Sequence, residues 1–87
     1  MAADLMAEIA EEMTSADLIY GPFTSTHEAY GVLAEEVAEL LEAIRKAKRG
    51  PHLEPVREEA IQVAAVAARL ARCCRDHRAF ATRSGAA

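Results

Sequence analysis

The chain is 87 residues long, enough for one domain with a modest core, and its apolar fraction of 52% is weighted toward alanine, with two Phe, two Tyr and no Trp to fill volume. A formal charge of −4 and a pI near 5.3 exclude sequence-independent binding to nucleic acid as the main role. The N-terminal Met1-Ala-Ala-Asp-Leu-Met lacks the basic start of a secretion signal, the uncharged run 60–68 is too short to cross a bilayer, and the only cysteines, Cys73 and Cys74, are adjacent; together these predict a cytoplasmic protein with no membrane attachment.

A first helix is expected over 3–20, with Leu5, Ile9, Met13 and Ala16 on its buried face and Glu8, Glu11 and Glu12 outside it. Thr14-Ser15 is a place where it could break and restart, and Gly21-Pro22 ends it. Ser25-Thr-His-Glu28 reads as a capping box that opens the second helix, with Ser25 accepting from the Glu28 N–H and Glu28 reaching back to the Ser25 N–H. This helix runs to about Lys48, where Arg45, Lys46, Lys48 and Arg49 oppose the helix dipole and Gly50-Pro51 stops it. The basic cluster reads as helix termination or, alternatively, as a contact for phosphate oxygens at the mouth of a site. Pro55 suits the first turn of a third helix over 55–76, whose buried stripe is Val56, Val63, Val66, Leu70 and Cys73. The fold expected is therefore all-α: a single domain over 1–87 with three antiparallel helices, a thin core completed by oligomerisation, and a frayed tail from about residue 79.

The chemistry is carried by carboxylates. On the second helix Leu33, Val37, Leu40 and Ile44 share one face, and Glu36 and Glu39, one turn apart, stand at its edge; Glu28, Glu35 and Glu42 extend the acidic band outward. On the third helix Glu59 falls between Val56, Val63 and Leu70, so its carboxylate points at the core, where an isolated charge costs several kcal/mol. Side-by-side packing of these two helices gathers Glu36, Glu39 and Glu59 into one pocket. Oxygen ligands of this kind suit Mg²⁺ or Mn²⁺ bound partly through water and substrate phosphates.

The run Glu35-Glu36-Val-Ala-Glu39 followed by Glu59-Ala-Ile-Gln62 resembles the MazG-like all-α nucleotide pyrophosphohydrolases, whose pattern is a Glu-Glu-x-x-Glu helix and then a Glu-x-x-Asp helix. The resemblance extends over residues 23–72 and is to the short bacterial and phage MazG-like proteins. It implies Mg²⁺-dependent hydrolysis of nucleoside triphosphates to monophosphate and pyrophosphate by a homodimer or homotetramer of helical bundles. Carried over by position, it implies Glu36, Glu39 and Glu59 as metal ligands and Glu35 as a further ligand or as the residue that orients the attacking water. Gln62 stands where the family has a metal-binding Asp, and a neutral amide oxygen is a weaker ligand that brings no charge.

Plainer readings stand beside these. Glu36 and Glu39 alone would pass for a solvated acidic face. Arg69 is an exposed helix arginine or a phosphate contact. His27 is a local residue beside the cap, Cys73, Cys74 and His77 fall short of a zinc site and read as a packed helix end, and Tyr20, Phe23 and Tyr30 belong to the core or a subunit interface. Three functions follow: a pyrophosphohydrolase, a catalytically degenerate binder of metal or nucleotide, or a helical interaction module whose acidic flank is simply wet.

Overall fold

The computed structural model describes residues 2–47 and 50–76, all helix and connecting loop with no strand among them. Three helices follow one another: α1, Ala2–Tyr20; α2, Thr26–Ala47; and α3, Glu54–Asp76. The tail from residue 79 and His77 lie outside the described residues, as do Lys48 and Arg49. None of the helices described is long and apolar enough to cross a membrane.

The predicted punctuation is realised with two adjustments. Gly21 takes a left-handed φ of 72° and its N–H donates to the Asp17 carbonyl at 2.9 Å, closing α1 as a glycine after a helix does. Ser25 Oγ accepts from the Glu28 N–H at 3.0 Å, but Glu28 reaches back to the N–H of Thr24, at 2.6 Å, one residue before the Ser25 N–H expected. Thr14 does not break α1; its hydroxyl donates to the Ala10 carbonyl at 3.1 Å and the helix runs on.

Helix α3 is central. It packs along α2 on one side and α1 on the other, whereas α1 and α2 do not approach each other closely. Ala29 and Phe23 join Val66 and Cys73 in the core, with Val32, Leu33 and Leu70 against them. Because two helices cover it, α3 is buried over a wider arc than the single expected stripe: Ile61, Ala65 and Arg69 are buried, while Val56, Val63 and Leu70 are only half-buried. Alanines on α3 allow this close approach.

The expectation about the packed face of α2 is corrected. Val37 and Ile44, placed on the packed face by periodicity, are each 47% exposed, and they continue with Tyr30 and Leu41 as an exposed apolar stripe beside the packed face. The packed face is instead Ala29, Val32, Leu33, Glu36 and Leu40: α2 carries apolar residues around most of its circumference, and it is Ala29 that is fully buried. Of the aromatics, Phe23 is buried and Tyr20 and Tyr30 are exposed.

Arg69 is not an exposed arginine. It is 3% exposed, its Nε donates to Asp17 Oδ1 at 3.0 Å, its Nη2 donates to the Gly21 carbonyl at 2.8 Å, and its guanidinium lies 4.4 Å from the centre of the Phe23 ring. Arg72 Nη2 donates to the same Asp17 oxygen at 2.8 Å. At the other end of α1, Glu8 forms a two-pronged ion pair with Arg57 of α3. These two clamps fasten α1 to α3 and make the two helices run parallel, with α2 antiparallel to both.

Asp17→Ala is expected to cost roughly 2–3 kcal/mol in urea unfolding, less than a fully buried pair because Asp17 keeps about a third of its side chain in water. The hydrogen bond from Arg72, together with that from Arg69, holds the Asp17 carboxyl below the usual range. A depressed folded-state value means that this stabilisation is present above the unfolded Asp pKa of about 3.9 and is lost as pH falls below it. The wild-type advantage over Asp17→Ala should therefore shrink in acid, and an advantage independent of pH would contradict the ion-pair account.

Candidate functional site

Helix α2 brings Glu36 and Glu39 to the α2–α3 seam because they lie one turn apart, on the side that also carries Leu33 and Leu40. Glu59 meets them from the first half of α3. One carboxylate oxygen from each of Glu36, Glu39 and Glu59 lies within 4.8 Å of the others. Glu36 and Glu59 are half-buried and Glu39 is exposed, so the cluster sits at the rim of the seam with its inner two members turned from solvent.

The electrostatics of this arrangement are unfavourable as it stands. Oε1 of Glu36 and Oε1 of Glu59 are buried and accept no hydrogen bond. The ion pairs among the described residues, Glu42–Lys46, Glu8–Arg57, Asp17 with Arg69 and Arg72, and Asp76–Arg75, all lie elsewhere. Burial first, then the charges of Glu39 and Glu59, a hydrogen bond with Glu39 and the charge of Glu12 push the Glu36 carboxyl above the usual range.

Two openings flank the cluster. On one side, a groove of about 380 Å³ lies between α1 and α2 and is floored by α3. Glu35 and Glu36 form part of one wall, Glu12 and Tyr20 part of the other, and Gln62 and Arg69 belong to the floor. On the other side, Glu39 and Glu59 border an opening of about 410 Å³ whose rim carries Lys46 and His52. The sequence-predicted residues are thus distributed as follows: Glu36, Glu39 and Glu59 converge, Gln62 and the exposed Glu35 border the groove beside Glu36, and Arg69 borders its far end while clamping α1. His27 is exposed and lines neither opening.

Glu12 and His52 escaped the sequence reading. Glu12 lies one turn before Ala16 on α1, and that spacing from an expected core position was a usable signal. His52 offered none, since its place depends on how the loop after Gly50-Pro51 turns back toward α3.

The donor set fits a hard divalent cation. Three closely spaced carboxylates, two of them with unpartnered buried oxygens, match the oxygen-only coordination of Mg²⁺ or Mn²⁺, and Glu39 is open to water that would fill the remaining positions. No protein-family model, curated protein or solved structure matches the chain.

The raised Glu36 value gives a stability prediction without metal. A carboxyl whose folded-state pKa exceeds its unfolded value stabilises the fold below the unfolded pKa and withdraws that contribution as pH rises through the folded pKa. Glu36→Gln should therefore raise the Tm of the metal-free protein at pH 7 by a few degrees, the shift that roughly 0.5 kcal/mol produces in a domain this size. The gain should disappear near pH 4, and a gain of equal size at both pH values would show that relief of charge repulsion is not its source.

Proposed function

We propose that the protein is an Mg²⁺-dependent nucleoside triphosphate pyrophosphohydrolase of the MazG-like kind, releasing pyrophosphate and a nucleoside monophosphate. The observation that carries this reading is the convergence of Glu36, Glu39 and Glu59 at the α2–α3 seam, with buried oxygens of Glu36 and Glu59 left unpartnered. An acidic face kept only for solubility has no need of a member turned into the seam.

In this reading Glu36, Glu39 and Glu59 hold the cation, with the Gln62 amide as a neutral neighbour on the groove side. The cation would neutralise the phosphate oxygens and acidify water at the scissile phosphorus. Glu35, exposed on the groove wall next to Glu36, accepts a hydrogen bond from the attacking water and orients it. Lys46 and His52, on the rim beyond Glu39 and Glu59, provide donors for phosphate oxygens that the acids themselves repel. Arg69 enters mainly by fixing the end of the groove, since its Nε and Nη2 are already engaged by Asp17 and Gly21.

The assembly proposed is a homodimer or homotetramer. Tyr30, Val37, Leu41 and Ile44 are exposed and recur at spacings of seven, four and three residues along α2, the repeat of a helix that packs against another helix. Among the described residues no large side chain is fully buried, which leaves stability for a subunit contact to supply.

A second reading, a catalytically degenerate binder of metal or nucleotide, is favoured by Gln62 alone. The two are separated by incubating the protein with Mg²⁺ and a panel of ordinary and modified ribo- and deoxynucleoside triphosphates, beside the Glu36→Gln/Glu59→Gln variant. Pyrophosphate release that the double variant lowers at least about a hundredfold is expected. Silence across the panel with metal binding intact would leave the degenerate binder.

A further inference from the structure

Glu12 is the one carboxylate of α1 that borders the groove beside the acidic cluster. It lies on α1 between the two clamps, Glu8–Arg57 and Asp17–Arg69, and Gln62 lies between the matching positions of α3, so the parallel helices bring Glu12 and Gln62 level with one another. Both line the 380 Å³ groove together with Glu36, and both also border a further opening of about 490 Å³ on the outer side of the α1–α3 contact. Glu12 is half-buried and, among the described residues, forms no ion pair or hydrogen bond, in contrast with Glu8 one turn earlier.

We propose that Glu12 is a further carboxylate of the metal site: from α1 it supplies, across the groove, the negative charge that Gln62 does not supply from α3, to a divalent cation on the groove side of Glu36. This inference rests on the metal-site reading above and adds α1 to a site that the acidic motifs confine to α2 and α3. The separation from the tight cluster fits a role through the cation's own water shell, since Mg²⁺ retains several waters and a carboxylate can bind it through one of them. The unpartnered buried oxygen of Glu36 is the inner anchor, and Glu12 is the outer one. Glu12 and Glu36 face each other across the same groove, and the charge of Glu12 is the smallest of the influences that push the Glu36 carboxyl up.

Such a role separates Glu12 from a surface acid by opposite effects with and without metal. Mn²⁺ binding, followed by the loss of the free-ion paramagnetic resonance signal and by Tm, would be compared in wild type, Glu12→Gln, the exposed control Glu11→Gln, Glu12→Gln/Gln62→Glu and Glu36→Gln/Glu59→Gln, with helicity checked by circular dichroism.

Glu12→Gln is expected to raise Tm without metal, to weaken Mn²⁺ binding on the order of tenfold, and to recover most of that loss when Gln62→Glu is added, while Glu11→Gln changes neither quantity. If Glu36→Gln/Glu59→Gln abolishes Mn²⁺ binding but Glu12→Gln behaves like Glu11→Gln, the proposal for Glu12 fails and the metal site survives. If wild type binds no Mn²⁺, both fail.

Discussion

The guanidinium of Arg69 is the contact on which the rest of the structure hangs. One side chain on α3 grips the last turn of α1 through Asp17, the carbonyl of the glycine that ends that helix, and the ring of Phe23 in the loop that leads to α2. A buried cation would be costly without this company, and the arrangement answers each of its needs: an anion, a carbonyl and an aromatic face. With no close packing between α1 and α2, the angle of α1 is set by this clamp and by Glu8–Arg57. The groove between α1 and α2 exists because α1 packs on α3, where the charged clamps fasten it, and makes no close contact with α2.

The same economy explains why the acidic cluster can be tolerated. Among the described residues, Lys46, Arg57, Arg69, Arg72 and Arg75 pair with acids outside the cluster, namely Glu42, Glu8, Asp17 and Asp76. Burial and the neighbouring carboxylates hold the Glu36 carboxyl above its usual range, so the present arrangement retains a locally unfavourable charge beside an open groove. Groups held in this way are candidates for a binding role, which is the ground for the metal reading proposed above.

Much of this was legible along the chain. Gly21-Pro22, Ser25 with Glu28, and Gly50-Pro51 marked the helix ends because their chemistry is local, and helical periodicity alone put Glu36, Glu39 and Glu59 on facing edges of two helices. What stayed hidden depended on distant partners. Arg69 reads along the chain as an exposed arginine or a phosphate contact because its partner Asp17 is 52 positions away, and the wide buried arc of α3 follows from two helices sharing it, which no local pattern records. Val37 and Ile44 were misplaced since the apolar arc of α2 is wider than the face that α3 covers, and periodicity does not say which part is covered.

The sequence distances spanned by these contacts also bear on the order in which the chain assembles. Helices α2 and α3 are joined by a short loop and meet as a hairpin, whereas the clamps on α1 bridge 48 to 55 positions. The entropy of closing a loop grows with its length, so the hairpin is expected to form early and α1 to dock last, a sequence that pulsed amide exchange would read as protection of α2 and α3 before α1. On that route Glu36, Glu39 and Glu59 come together on the first-formed unit, and the groove gains its second wall only in the final step of folding.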